Sequence, residues 1–175
     1  MLCSWLAAVA VTLGLAPQVA SSGPAPVSIA GVRFQRAGGG NFFVLGINYS
    51  GSPDRAWRNW EDELFDEDLV DRDFARAKSA GLNTVRIFIR QPLPEQLPAG
   101  QWDKLDAVVS LAEKHGLYLI VTLYDYRERD LAKVVALDGA IARRYADRSA
   151  ILAWDLKNEP TFWDLASSIY SGPPP

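Results

Sequence analysis

The fold is decided by residues 81–89, GLNTVRIFI, and by their counterpart at residues 116–123, GLYLIVTL. In each stretch a glycine and a leucine precede an apolar run. A glycine at such a joint commonly ends a helix, because it adopts the left-handed backbone conformation that other residues avoid. The runs are nearly continuous in apolar character, as expected of parallel strands that are buried on both faces. The two joints lie 35 positions apart, so the chain repeats a helix-then-strand unit.

The same unit extends along the chain in both directions. Residues 27–36 and the turn at residues 37–40 predict a small hairpin. Core strands are predicted at residues 42–47, 84–89, 117–123 and 151–156. Three apolar faces at helical spacing separate them: Leu69, Val70, Phe74 and Ala77; Trp102, Leu105, Val108, Val109 and Ala112; and Val134, Leu137, Ile141 and Tyr145. This alternation predicts an α/β fold with right-handed βαβ crossovers.

Two architectures satisfy this pattern, a (β/α)8 TIM barrel and an open doubly wound sheet. No Gly-x-Gly-x-x-Gly follows a predicted strand, so a dinucleotide site is unsupported. A complete barrel takes about 250 residues, whereas the fourth strand here already ends at residue 156 of 175. We therefore expect either a four-stranded open sheet or a barrel truncated to about its first four strand-helix units.

Composition excludes several kinds of partner and cofactor. The 18 basic and 21 acidic side chains give a net charge of −3, which provides no field to attract nucleic acid. Cys3 and His115 are the single residues of their types, so an intrachain disulfide, a cysteine-ligated zinc and a multi-histidine metal site are excluded. Residues 61–73 hold eight acids and one arginine, and a solvent-facing helix start is favoured over a calcium or magnesium site. At a predicted helix end, His115 is interpreted as structural.

The N-terminus predicts an exported protein. Residues 1–20 carry no charged side chain, and an apolar run at residues 6–15 is followed by small residues. We interpret residues 1–25 as a signal peptide and linker, and residues 26–175 as the folded part. No basic residue precedes the apolar run, which is atypical. The alternative is a membrane anchor, but the run is shorter than the ~20 residues that a span needs. Secretion without stable membrane association after cleavage is expected.

The segment most informative about chemistry is residues 154–160, WDLKNEP. A predicted strand ends there in Asn158 and Glu159, and Pro160 stops the strand because it lacks an amide donor. The C-terminal ends of parallel strands form the functional rim of α/β folds. A rim Glu can serve as an acid whose pKa is raised by burial and neighbouring charge, and the Asn amide can fix a substrate hydroxyl. The alternative is a solvated turn, since Asn and Pro favour turns.

These motifs resemble a known family. Val-Arg-Ile at residues 85–87, Asn-Glu-Pro at residues 158–160 and the run FVLGIN at residues 43–48 are similar to family 5 glycoside hydrolases, which are (β/α)8 barrels that include cellulases and β-mannanases. The similarity covers residues 27–163. It implies hydrolysis of a β-linked polysaccharide, glucan or mannan, by a retaining mechanism with two carboxyl groups. No metal or organic cofactor is implied.

The resemblance also assigns roles to individual residues. Glu159 matches the general acid/base, Asn158 the residue that binds the sugar 2-hydroxyl, and Arg86 the arginine that contacts the nucleophile. The nucleophilic Glu of the family belongs to the seventh strand, and no residue here matches it, so the chain alone is expected to be inactive. A histidine is common at the end of the third strand, but this chain has Tyr124 and Asp125 there. That departure weakens a specific cellulase assignment.

Aromatic residues follow the predicted strands at the same rim, where they can stack on the apolar faces of sugar rings. The candidate substrate-binding residues are Tyr49, Trp57, Trp60, Tyr124, Asp125 and Trp163, accompanied by Tyr126 and Phe162. Alternatively, some of these rings simply cover the top of the barrel. Two further interpretations stay open. One is a non-catalytic carbohydrate-binding or interaction module on a partial barrel. The other is an unrelated four-stranded domain in which Asn-Glu-Pro is a turn.

Overall fold

The computed structural model describes residues 23–124 and 130–159, so most of the predicted signal peptide lies outside the described residues. An antiparallel sheet comes first, made of β1 Val27–Ala30, β2 Arg33–Arg36 and β3 Asn41–Phe42. Strands then alternate with helices: β4 Gly46–Asn48, α1 Glu67–Ser79, β5 Thr84–Phe88, α2 Leu93–Gln96, α3 Asp103–Lys114, β6 Tyr118–Thr122, α4 Leu131–Arg144 and β7 Ile151–Asp155.

The four strands β4 to β7 form one parallel sheet whose spatial order is the order of the sequence. A doubly wound sheet reverses its strand order at a switch point and carries helices on both faces. Here the order does not reverse, and α1, α3 and α4 contribute to a single apolar core. The architecture is therefore that of the first four strands of a (β/α)8 barrel, with the helices α1, α3 and α4 after the first three of them. The residues beyond 159, where a helix after the fourth strand would come, lie outside the described residues.

Alternation along the strands separates two faces of the parallel sheet. Successive side chains of a strand point to opposite faces. In β5, Val85 and Ile87 are buried in the core beneath the helices. Arg86, which lies between them, therefore points to the other face, which would line the barrel interior. The core between the helices and the sheet includes Phe74 of α1, Val109 of α3, Leu119 and Val121 of β6, and Ile141 of α4.

The two glycine-leucine joints have the same structure. Gly81 and Gly116 have φ angles of +84° and +60°. After α1, the amide of Gly81 donates to the carbonyl of Lys78 at 3.0 Å and that of Leu82 donates to Ala77 at 3.1 Å. After α3, the amides of residues 116 and 117 make the equivalent bonds, at 3.0 and 2.9 Å. Both helices thus end in a Schellman motif that directs the chain into the next strand.

The first core strand is shorter than predicted. The structure assigns Phe42 to β3 of the hairpin and begins β4 at Gly46, not at residue 42. Between them, the side chain of Asn83 replaces strand pairing: its Nδ2 donates to the carbonyl of Phe43 at 2.8 Å, and its Oδ1 accepts from the amide of Leu45 at 3.0 Å. One asparagine side chain thereby satisfies backbone groups that a regular strand would pair with a neighbour.

The acidic run begins a helix, as predicted, and several of its carboxylates also form ion pairs. Asp66 caps α1 by accepting from the amide of Leu69 at 2.9 Å. Asp71 lies 2.8 Å from the ammonium of Lys114 and 2.6 Å from Nε2 of His115, the C-cap of α3. These contacts tie α1 to the C-terminal end of α3. Within residues 23–124 and 130–159, no three His, Cys, Asp or Glu side chains are grouped so that they could hold a metal ion.

Candidate active site

Four polar residues meet at the C-terminal ends of three adjacent strands, and we call them the Arg86 cluster: Arg86, Thr122, Asp155 and Asn158. Thr122 of β6 is in register with Phe88 of β5 and with Asp155 of β7. Arg86 lies two residues before Phe88 on β5, further from the rim than Thr122. Its long side chain extends towards the rim and reaches Thr122 there. The parallel register thus brings together residues that are up to 72 positions apart in the sequence.

Hydrogen bonds connect every member of the cluster. The Nε of Arg86 donates to the hydroxyl of Thr122 at 2.9 Å and to Oδ2 of Asp155 at 3.1 Å. The same carboxylate oxygen accepts from Nη2 of Arg86 and, at 2.9 Å, from the hydroxyl of Thr122. Nη2 also donates to Oδ1 of Asn158 at 3.0 Å. Because Thr122 is 3% exposed, its hydroxyl can serve as a fixed link between the guanidinium and the carboxylate.

Glu159 directly follows this cluster. Its side chain is exposed, so the burial expected from the sequence is absent in the structure. Its φ angle is +49°, in the left-handed region that few residues other than glycine adopt. Non-glycine residues in this region concentrate at functional sites, where the surrounding structure holds them in place. The carboxylate thus lies at a strand end, one residue beyond the asparagine that Arg86 holds.

Among the candidate aromatic residues described, Trp57 has an exposed ring that is linked to the Arg86 cluster through the ring of Phe88. Its ring is 45% exposed, and it contacts the ring of Phe88 edge-on at a centroid distance of 5.2 Å. The guanidinium of Arg86 lies 4.6 Å from the centre of the same Phe88 ring, and that of Arg90 lies 4.7 Å from the centre of Trp57. Aromatic rings and arginine planes therefore continue from the cluster to the protein surface.

Two other predicted substrate-binding residues pack into the core instead. Trp60 is 2% exposed, and its indole N–H donates to the carbonyl of Phe88 at 2.8 Å. Tyr49 packs on Phe74 of α1, and its hydroxyl donates to Asp73 at 3.2 Å. Burial, together with the nearby Asp73 carboxylate, raises the pKa of the Tyr49 phenol far above its usual range. Trp60 therefore offers no exposed face to a sugar and packs as the alternative interpretation allowed, while Tyr49 is half-buried against α1.

The remaining predicted residues are distributed differently. Tyr124 lines a groove of about 490 Å³ together with residues of α2, α4 and Trp102. Its ring therefore lies beside the helical layer, and no contact between it and the Arg86 cluster is found in the part of the chain that the structure describes. Asp125 and Trp163, and with them Tyr126 and Phe162, lie outside the described residues.

Thr122, Asp155 and Phe88 were not singled out by the sequence interpretation. A signal for two of them was available, because the strands are otherwise nearly continuous in apolar residues. Thr122 and Asp155 are both the last residues of their strands, and they pair in register. A polar residue at the C-terminal end of a buried parallel strand is a candidate rim residue. Phe88 carried no such signal, because a phenylalanine is ordinary in a buried strand.

Comparisons with known proteins agree with this architecture. The family model of cellulase (glycosyl hydrolase family 5) matches residues 46–168. A probable mannan endo-1,4-beta-mannosidase A of Aspergillus flavus is 26% identical over 191 aligned positions, covering 82% of this chain and 48% of that protein. The chain thus spans about half the length of that curated relative.

Two solved structures share the fold at low sequence identity. The exo-beta-1,4-mannosidase Op5Man5 of Opitutaceae bacterium strain TAV5 is 21% identical with a TM-score of 0.58, covering 73% of this chain and 27% of that one. The catalytic domain of Thermobifida fusca endoglucanase Cel5A is 20% identical with a TM-score of 0.51, covering 73% and 41%. The fold is that of the TIM-barrel glycoside hydrolases. Since the family model matches most of its length, the chain belongs to glycosyl hydrolase family 5 and represents the N-terminal part of the barrel.

Proposed function

We propose that this chain contributes the acid/base half of the active site of a retaining glycoside hydrolase that cleaves β-linked glucan or mannan. The observation that carries the proposal is the Arg86 cluster, in which Arg86 binds Asn158 directly before Glu159 at the C-terminal rim of the sheet. In TIM-barrel enzymes this rim carries the active site. The exposed carboxylate beside the oriented amide is accessible to a sugar held by its hydroxyl groups, which is the geometry that proton transfer requires.

In the proposed mechanism, Glu159 protonates the departing glycosidic oxygen while a second carboxylate attacks the anomeric carbon. Glu159 then removes a proton from the water that hydrolyses the glycosyl-enzyme. The amide of Asn158 donates to the 2-hydroxyl of the sugar, and Trp57 stacks on a sugar ring near the cluster. In the family, the nucleophile lies on the seventh strand, and we expect it from a part of the barrel beyond these four parallel strands. Without it the two-step route is closed, so residues 1–175 alone are expected to be inactive.

Mannan is the first substrate to test. The curated relative that shares about half its length with this chain is named a mannan endo-1,4-beta-mannosidase. Tyr124 and Asp125, in place of the histidine common at the end of the third strand, argue against a specific cellulase assignment. Glucan stays a candidate because the sequence of the matched region does not itself distinguish the two sugars.

We also propose that the protein acts outside the cell. The support is the uncharged apolar segment of residues 1–20, which is typical of a secretory signal. None of the helices in residues 23–124 and 130–159 is long and apolar enough to cross a membrane. Mass spectrometry of the secreted protein should find an N-terminus near residue 21 or 26. A protein that keeps Met1 and resists carbonate extraction would indicate an anchor instead.

Hydrolysis by the complete gene product tests the proposed function. We expect it to release reducing ends from β-mannan or β-glucan, and proton NMR of the earliest products should show the β-anomer first, because a double displacement retains configuration. As a control, the variant Asp147→Asn should keep the wild-type activity. It removes an exposed carboxylate between α4 and β7, at the opposite end of the strands from Glu159. Initial release of the α-anomer, or binding of the polysaccharides without any cleavage, would contradict the proposal.

A further inference from the structure

We infer that Asp155 is a positioning residue that, through Arg86, sets the direction of the Asn158 amide. Nothing in the proposed mechanism above uses Asp155. The inference rests on the proposed function in one respect, that Asn158 binds a substrate hydroxyl. Its structural part stands on the contacts of the Arg86 cluster alone.

The first step of the argument is the geometry at Asp155. A single carboxylate oxygen, Oδ2, accepts from Nε and Nη2 of Arg86 and from the hydroxyl of Thr122. Hydrogen bonds between ionised partners are stronger than those between neutral groups. The side chains of Arg86 and Asp155 are 26% and 27% exposed, so water screens this ion pair only in part. Asp155 therefore holds the guanidinium in one place.

The second step is the chemistry of arginine. A guanidinium carries donors and no acceptor. The Asn158 amide must therefore present its oxygen to Nη2 of Arg86, as it does at 3.0 Å. The amide has one carbonyl oxygen and one NH2 group on opposite branches, so this contact directs the Nδ2 donors away from Arg86. A fixed arginine thus decides which end of the asparagine is offered to a ligand.

The third step links this direction to the reaction. Hydrogen bonds to the 2-hydroxyl of the reacting sugar strengthen in the transition state. If Asp155 loses its charge, Arg86 is released, and the amide of Asn158 loses the contact that orients it. The loss should then fall mainly on kcat, because the affected interaction is made more strongly in the transition state than in the ground state. Thr122, which bonds both partners, supports the same arrangement.

The test compares Asp155→Asn with Asp155→Glu in the complete gene product, on two aryl β-glycosides. One has the 2-hydroxyl, and the other is its 2-deoxy analogue. We expect Asp155→Asn to lower kcat on the 2-hydroxy substrate by about 10- to 100-fold, the size of one hydrogen bond to the 2-hydroxyl weakened in the transition state, with a smaller change in KM. On the 2-deoxy substrate the loss should be several-fold smaller, because the part that passes through the Asn158 amide is absent there and only the effect of Arg86 on the nucleophile remains. Asp155→Glu should recover part of the loss, and Asp147→Asn should change neither rate.

A merely structural role for Asp155 predicts another pattern. Loss of stability or of active protein would lower the rates on both substrates by the same factor, and that result would overturn the inference. A second measurement does not depend on activity. In the wild type, the Nε–Hε group of Arg86 should give a resolved NMR signal that exchanges slowly with water, and Asp155→Asn should abolish it.

The two measurements separate this inference from the proposed function. If the wild type hydrolyses neither substrate, the proposed function fails, and the Arg86 signal decides the positioning role. An Arg86 signal that is unchanged in Asp155→Asn overturns the inference whether or not the enzyme is active.

Discussion

At the scale of single residues, the two tryptophans that follow the first core strand have opposite roles. Trp57 is 45% exposed, whereas Trp60 is 2% exposed and stacks on Phe65 at 6.1 Å. The indole N–H of Trp60 satisfies the carbonyl of Phe88, at the end of the strand that carries Arg86. One ring can therefore contribute to a binding surface, while the other supports the strand below it.

This difference predicts unequal effects on stability. Trp60→Phe removes the donor to the Phe88 carbonyl and part of a buried ring, so we expect a loss of about 1–3 kcal/mol in the free energy of unfolding. Trp57→Phe changes a half-exposed ring and should cost no more than about 0.5 kcal/mol. Urea unfolding of the complete gene product, followed by far-UV circular dichroism, measures both. Equal losses in the two variants would show that the partners of Trp60 do not matter.

From the sequence we could predict which residues lie at the C-terminal ends of the strands, but not the direction in which their side chains point. Glu159, Asn158 and Arg86 could be found because a strand-end motif and a family resemblance coincide on them. The burial of Trp60 and Tyr49 depends on Phe88 and Asp73, which are 28 and 24 positions away. Such contacts exist only after the strands and helices have packed. Asp155 could have been found from the sequence, as a polar residue near the end of a predicted apolar strand.

At the scale of elements, α3 and α4 are joined by one carboxylate. Asp106 of α3 accepts from Nε of Arg144 at 2.9 Å, from its Nη2 at 2.5 Å and from the hydroxyl of Tyr145 at 2.8 Å. The hydrogen bonds from Arg144 lower the pKa of Asp106. A carboxyl whose pKa is lower in the folded state stabilises the fold above its unfolded pKa, and this stabilisation is lost as the pH falls.

Asp106→Asn should therefore be destabilising near neutral pH and almost harmless in acid. We expect a difference from the wild type of about 0.5–1 kcal/mol at pH 7, because a partly exposed ion pair is weakened by water. The difference should shrink as the pH falls below about 4, the usual range of an unfolded aspartate. Unfolding free energies of the complete gene product, measured by urea titration between pH 3 and 7, test this. A difference that is independent of pH would remove the ion pair as its cause.

The pairing of β4 with β5 requires a glycine. A Cβ added to Gly46 would lie 2.7 Å from the carbonyl oxygen of Thr84 and 3.1 Å from its Cβ. We expect Gly46→Ala to cost about 1–3 kcal/mol, because the two strands must move apart. The matched control is Gly139→Ala in α4, where the added methyl meets only the end of the flexible Arg143 side chain, 3.2 Å away. That change should stabilise the protein by up to about 1 kcal/mol. Thermal unfolding of both variants of the complete gene product tests the contrast.

Elements whose bounds depend on neighbouring residues in the sequence were predicted well. Elements whose bounds depend on contacts with distant residues were not. Both glycine-leucine joints and the helices α1, α3 and α4 follow from local spacing and caps. The short helix α2 was missed, since it contains Pro94 and spans Leu93–Gln96 only. The start of β4 was misplaced because the side chain of Asn83, which precedes the next strand, forms hydrogen bonds with the backbone of Phe43 and Leu45.

At the scale of the whole molecule, the parallel sheet has two open edges within the described residues. β4 pairs with β5 alone, and β7 pairs with β6 alone. Ile47 and Leu156, at these edges, are 44% and 73% exposed. In a closed barrel, further strands cover both edges, and unpaired edges promote association between chains.

Residues 21–175, purified alone, should therefore elute as oligomers or aggregates in size-exclusion chromatography with light scattering. They should also fail to hydrolyse β-mannan or β-glucan. The complete gene product is the control, and we expect it to be well behaved in the same buffer. A monodisperse, cooperatively unfolding monomer of residues 21–175 would favour an independent four-stranded domain instead.

The central claim is that Glu159 is the general acid/base, and azide rescue of Glu159→Ala in the complete gene product tests it most directly. We expect the variant to lose most activity on substrates with poor leaving groups and to keep more on activated aryl glycosides, which need little protonation. Azide should restore turnover and yield a β-glycosyl azide, because it attacks the glycosyl-enzyme without base assistance. Equal losses on both substrate types, with no glycosyl azide formed, would contradict the assignment of Glu159.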